Sequence, residues 1–160
     1  MKILIIGGTG LISTAISRQL LEAGHELTLY NRGETTPRIP ADFTLIKGDR
    51  DDFETFENQM AEAGEFDCVI DMVCFKPEQA ESDIRAFKGR TGQLIFCSTV
   101  DVYKKPPTSF PIVESQERQA LSDYGRNKAK CEDLFMAAHQ EGHFPVTVIR
   151  PASTYGEGGN

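Results

Sequence analysis

The sequence predicts an α/β fold in which a doubly wound parallel sheet carries helices on both faces. Three observations point to it. Short apolar runs alternate with amphipathic stretches, glycines stand at many of the junctions, and 160 residues suit one domain. A chain of that length can bury about two-thirds of the surface its unfolded form exposes. Alternating strands and helices pack as parallel strands joined by right-handed crossovers, which brings every strand's C-terminal end to one edge. Chemistry is expected at that edge.

The elements follow in order. The run Ile3 to Ile6 reads as a buried strand that drives into Gly7, Gly8, Thr9 and Gly10, after which Leu11, Ile12, Ala15 and Ile16 begin an amphipathic helix. Gly24 stops that helix, and Glu26 to Tyr30 is the second strand. A loop with Asn31, Arg32, Gly33 and two prolines runs to about Ala41, and the third strand, Phe43 to Lys47, ends at Gly48, Asp49 and Arg50. Phe53, Phe56 and Met60 repeat at helical spacing, so a helix spans about Asp52 to Ala63 and closes at Gly64. Asp67 to Val73 is largely apolar, as a central parallel strand should be. Pro77 opens a helix with Ala80, Ile84 and Phe87 on one face, and Gly89 closes it. Gln93 to Cys97 is the fifth strand, a proline-containing connection leads to a helix from about Ser122 to Gln140, and Val146 to Ile149 is the sixth strand.

Composition narrows the class. Hydrophobic residues at 39% and charged residues at 26% are ordinary for a soluble protein. No apolar run approaches the roughly 20 residues of a membrane helix, and Ile3 to Ile6 is too short for a signal-peptide core, so a cytoplasmic location is expected. The net charge of −7 disfavours a broad nucleic-acid surface. Cys68, Cys74, Cys97 and Cys131 form no CxxC pair and read as small buried thiols. His139 and His143 stand four apart in HQEGH, but the acid is misplaced for HExxH and Gly142 ends the helix, so no metal site is expected.

The chemistry begins at the first loop. A strand, a glycine turn and a helix start place unpaired N–H groups and a positive dipole end where a dinucleotide pyrophosphate binds, with Gly7, Thr9, Gly10, Leu11 and Ile12 as the contacts. An Asp or Glu roughly 20 residues after such glycines would bond the adenosine ribose. Asn31 stands there instead, followed by Arg32. Neither side chain repels a 2′-phosphate and the guanidinium attracts one, so the cofactor expectation leans to NADP, with NAD as the alternative. Tyr124 and Lys128 share a helical face at four-residue spacing. A tyrosine ordinarily titrates near ~10, and bringing it to about 7 takes roughly 4 kcal/mol of phenolate stabilisation, which an ammonium and a cationic cofactor ring can supply.

The glycine run, GxxG followed by Ser13 where a third glycine would stand, resembles the extended short-chain dehydrogenase/reductase superfamily, and GGTGLI is close to its NAD-dependent epimerases and dehydratases. The resemblance implies a Rossmann-like fold and site roles. GDRDD, residues 48 to 52, resembles the segment whose Asp, here Asp49, bonds adenine, leaving Asp51 and Asp52 to cap a helix; Met72, Val73 and Cys74 match the cofactor-lining segment. CSTVDVY, residues 97 to 103, resembles SSxxVYG, so Thr99, with Ser98 one residue before it, would complete a catalytic set with Tyr124 and Lys128, and Lys128 would also bond the nicotinamide ribose. RPASTYG resembles RPxNVYG, with Ser153 where many members carry an Asn that contacts substrate. The NRG turn, GDRDD and VYKK look most like a bacterial branch related to chloroplast stem-loop-binding proteins.

The resemblance implies an NAD(P)-dependent epimerase, dehydratase or reductase acting on a nucleotide sugar or related carbonyl compound, with a homodimer as the assembly it allows. The competing reading is a non-catalytic dinucleotide-binding or RNA-associated module. Family members continue into a substrate lobe, so residues 1–160 are expected to be an NAD(P)-binding domain from an N-terminal fragment.

Overall fold

The computed structural model describes residues 1–36, 38–39, 42–142 and 144–156; the expectations for Ala41 and His143 lie outside the described residues. Six strands form one parallel sheet: β1 (Lys2–Ile6), β2 (Glu26–Asn31), β3 (Thr44–Lys47), β4 (Cys68–Asp71), β5 (Leu94–Cys97) and β6 (Val146–Ile149). Their order across the sheet is β3-β2-β1-β4-β5-β6. The direction of winding reverses between β1 and β4, whose register pairs Ile6 with Asp71. A crevice opens at such a reversal, beyond the strands' C-terminal ends.

Alternation along β1 splits the core into two layers. Ile3 and Ile5, with Leu27 and Leu29, pack against Ile16, Leu20 and Leu21 of α1 (Leu11–Glu22). Leu4, Ile6, Val69, Leu94 and Phe96 point the other way, onto α2 (Phe53–Ala63), α3 (Pro77–Phe87) and α4 (Asp123–Glu141). Phe56, Phe87 and Phe135 are almost wholly buried in this second layer. Helices therefore cover both faces, in a Rossmann-like arrangement.

Local chemistry explains the boundaries. Strand β4 stops at Asp71, two residues short of the expected end, because the Asp71 Oδ1 accepts the Val73 N–H at 2.7 Å and turns the chain out of the sheet. Asp52 caps α2 by accepting the Thr55 N–H at 3.2 Å, and Ser122 caps α4 by accepting the Gly125 N–H at 2.9 Å. Asp51 corrects its expected capping role. Its carboxylate accepts from Gln79 Nε2 at 2.8 Å and pairs with Lys76 at 3.3 Å, which ties the turn after β3 to the start of α3. All four cysteines are buried and free.

Candidate functional site

A cleft of about 620 Å³ sits at the ends of the first four strands. Gly7, at the end of β1, adopts φ +85°, and a Cβ there would collide with the Val73 side chain. Glycine is thus required for both the turn and the close approach. Ser13, buried where a third glycine would otherwise stand, accepts the Gly10 N–H at 2.9 Å and donates to the Gly10 carbonyl at 3.2 Å. The Thr14 N–H makes the first intrahelical bond to Gly10. That leaves the N–H groups of Leu11 and Ile12 for an anion.

Of the expected cofactor contacts, Gly7, Thr9, Gly10, Leu11, Ile12, Asn31, Arg32, Asp49, Met72 and Val73 all line this cleft. Asn31 accepts the Gly33 N–H on Oδ1 at 2.8 Å, while its Nδ2 is buried without a partner. An orphaned donor on the cleft wall is what a ribose hydroxyl would satisfy. Arg32 pairs with Glu34 at 3.2 Å, both largely exposed. Asp49 Oδ1 accepts the Asp51 N–H at 2.9 Å. Cys74 departs from its expected place. Strand exit alternates the side chains, so Val73 faces the cleft and Cys74 is wholly buried, its free thiol donating to the Lys76 carbonyl at 3.9 Å.

The expected catalytic residues meet beside the cleft, not in it. Thr99 follows β5 and accepts the Asp101 N–H at 3.1 Å, which fixes its hydroxyl at the start of a single 3-10 turn. Gly125 lets α4 press against that turn, since a Cβ would stand 2.5 Å from the Asp101 carbonyl oxygen. Tyr124, half exposed in the first turn of α4, consequently faces the Thr99 hydroxyl. Lys128, one turn on and 1% exposed, donates to the Cys97 carbonyl at 2.7 Å. Its Nζ lies 4.9 Å from the Phe75 ring centroid, 4.8 Å from that of Phe96 and 5.8 Å from that of Tyr124. Phe75 also lines the cleft and stands 6.3 Å from the Tyr124 ring, so one aromatic ring divides the cleft from these three residues. Burial pushes the Tyr124 phenol above its ordinary value, Cys97 and Asp101 add to the effect, and the Thr99 hydrogen bond only partly offsets it.

Two buried ion clusters escaped the sequence reading. Glu132, one turn past Lys128, accepts from Ser98 Oγ at 2.6 Å, from Arg150 at 2.9 and 2.7 Å and from Arg118 at 3.0 Å. Ser98 is therefore committed to Glu132, which leaves Thr99 as the hydroxyl facing Tyr124. The spacing of Glu132 four residues after Lys128 was the available signal. The second cluster joins Arg50 to Asp83 at 2.6 Å and to Asp71 at 3.6 Å, with the guanidinium 4.1 Å from the Phe56 ring centroid. Nothing in the sequence pattern announces it.

A sequence profile described as the NAD dependent epimerase/dehydratase family matches residues 3–160. The chain belongs to that family. Among individual relatives, it is 32% identical to the chloroplast stem-loop binding protein of 41 kDa b of Arabidopsis thaliana, over 97% of this chain and 42% of that protein. It is 26% identical to the 2′-dehydrokanamycin reductase of Streptomyces kanamyceticus, over 97% of this chain and 43% of the reductase. The chain thus spans less than half the length of these two relatives. A crystal structure of UDP-glucose 4-epimerase from Brucella ovis in complex with NAD superposes with a TM-score of 0.80 at 20% identity, covering 93% of this family member and 51% of the epimerase. At that identity the likeness shows the fold. Among the described residues, no helix is long and apolar enough to cross a membrane.

Proposed function

We propose that this family member is the dinucleotide-binding part of an NAD(P)-dependent epimerase, dehydratase or reductase whose substrate is a nucleotide sugar or a related carbonyl compound. The observation that carries the reading is the delivery of Tyr124 and Lys128 by α4 to Thr99, one ring away from a cleft with a glycine cradle, free helix N–H groups and an orphaned Asn31 amide. Those features fit a dinucleotide, with Leu11 and Ile12 toward its pyrophosphate, Asn31 toward the adenosine ribose and Asp49 toward adenine.

A bound nicotinamide dinucleotide supplies a carbon that gives or takes hydride. The chain's own residues do the rest. Thr99 holds the substrate oxygen, and Tyr124 gives it a proton or takes one from it. An ordinary phenol already carries its proton at neutral pH, and burial raises Tyr124 further, so acting as a base requires the cation of Lys128 and an oxidised ring close by. Orientation by the Thr99 hydroxyl and the buried Lys128 contributes the remainder. For the cofactor, Asn31 in place of an acid favours NADP, while Glu34 partly occupies Arg32; the reading is preference for NADP with NAD accepted. Fluorescence titration of NADPH and NADH into the wild type and Arg32→Ala tests it: the substitution should weaken NADPH several-fold and leave NADH unchanged.

The likeness to a stem-loop binding protein favours a second reading, an RNA-associated module. Salt-dependent RNA binding that NADPH does not alter would support it, and the net charge of −7 weighs against it.

A further inference from the structure

We propose that Glu132 is a positioning residue that sets Thr99, Tyr124 and Lys128 in a single arrangement. The inference rests on the reading of those three as the reacting groups. Glu132 is 1% exposed and lies four and eight residues after Lys128 and Tyr124, on the same face of α4. Its Oε1 accepts from Ser98 Oγ at 2.6 Å and Arg150 Nε at 2.9 Å; its Oε2 accepts from Arg150 Nη2 at 2.7 Å and Arg118 Nη1 at 3.0 Å. A carboxylate has about four acceptor sites, and all are used.

The donors come from three separate segments. Ser98 leaves the end of β5, Arg150 the end of β6, and Arg118 the connection before α4. Arg150 also donates to Tyr103 Oη at 2.6 Å and to the Glu114 carbonyl at 3.3 Å. Ser98 stands between Cys97, whose carbonyl receives the Lys128 Nζ at 2.7 Å, and Thr99, whose hydroxyl meets Tyr124. The carboxylate on α4 therefore holds the strand end that supplies the partners of both other residues on α4. Bidentate arginine geometry fixes its orientation as well as its charge. A well-packed apolar group could stabilise the domain equally, but it would offer no acceptor to Ser98 Oγ or to Arg150.

The test is a titration of each tyrosine by 13Cζ NMR, with Tyr124 assigned by Tyr124→Phe, in the wild type, Glu132→Gln and Ser98→Ala, with and without saturating NAD+. The wild-type Tyr124 midpoint should fall when NAD+ binds. Glu132→Gln should lose at least half of that fall while still binding NAD+, and Ser98→Ala should lose a smaller part. A purely structural Glu132 would lower the melting temperature and leave the fall intact, which overturns the proposal. If Glu132→Gln does not fold, Ser98→Ala decides: a measurable loss of the fall supports the proposal and an intact fall overturns it. A wild type whose Tyr124 midpoint does not fall overturns the catalytic reading and this inference together, whereas a normal fall in wild type and variants overturns this inference alone.

Discussion

The two buried ion clusters of this domain are built from the same residue types in opposite proportion. At the end of β5, one buried carboxylate, Glu132, faces two guanidinium groups, of which Arg118 also pairs with the exposed Asp133 at 2.5 Å. Behind the cleft, one guanidinium, Arg50, faces two carboxylates, Asp71 and Asp83. Burial pushes Glu132 upward, but hydrogen bonds from Arg150 and Ser98, reinforced by the charges around it, more than reverse this and hold it below its ordinary value. Burial also pushes Asp83 upward; Arg50 opposes it, Asp71 adds to it, and the result lies well above the usual carboxylate range. Asp71 Oδ2 and Asp83 Oδ2 have no hydrogen-bond partner among the described residues. Burial is common to both, and the balance of charges around each carboxyl decides the direction in which it moves. Each cluster also does work for the site above it. Glu132 supports the end of β5, while Asp71 Oδ1 holds the turn that presses Val73 against Gly7.

Removing the cation should break the symmetry most sharply. Arg50→Met strands two buried acids and is expected to cost about 3–5 kcal/mol in urea unfolding at neutral pH. Arg150→Met leaves Glu132 with Arg118 and Ser98 and should cost about 2 kcal/mol, nearer to a lost charged hydrogen bond. Equal losses would contradict the asymmetry.

The pH dependence should then differ in sign. Asp83 has a raised folded pKa, so its contribution is fully present below the unfolded carboxyl value of about 3.9 and is lost as pH rises toward the folded value. Glu132 has a lowered one, so its contribution is present above the unfolded value of about 4.3 and is lost as pH falls through the folded value. Unfolding free energies measured across pH should show Asp83→Asn gaining on the wild type as pH rises, and Glu132→Gln falling behind it. Parallel slopes would refute the assignment.

An exposed pair sets the lower end of the scale. Arg32 and Glu34 are both about two-thirds exposed, so Glu34→Gln should change stability by less than about 0.5 kcal/mol. Its readout is binding: with Arg32 released, NADPH affinity should rise about two- to fivefold and NADH affinity should not.

Periodicity made the fold legible because β1 and β4 are apolar on both faces and glycines or capping residues mark the turns. The same logic put Gly7, Asn31, Asp49 and Val73 at neighbouring strand ends, and one cleft joins them. It failed where a side chain's direction depends on a turn, as at Cys74, which Asp71's bond to the Val73 N–H swings into the core. It failed again where partners are remote in sequence. Asp51 was read as a cap for the adjacent helix, yet Gln79 claims it; Arg50 meets Asp83 across 33 positions and Ser98 meets Glu132 across 34. Such contacts follow from the order of strands in the sheet, which a local pattern does not encode. The raised phenol of Tyr124 has the same origin, because it depends on how deeply α4 seats against the end of β5.

The most direct measurement is calorimetric titration of NADPH into the wild type, Gly7→Ala and Tyr124→Phe. Saturable one-to-one binding to the wild type is predicted, abolished in Gly7→Ala, where a Cβ at φ +85° must displace Val73, and retained in Tyr124→Phe, which lies beyond Phe75. Absence of wild-type binding, or binding that survives Gly7→Ala unchanged, would contradict a dinucleotide site in this cleft.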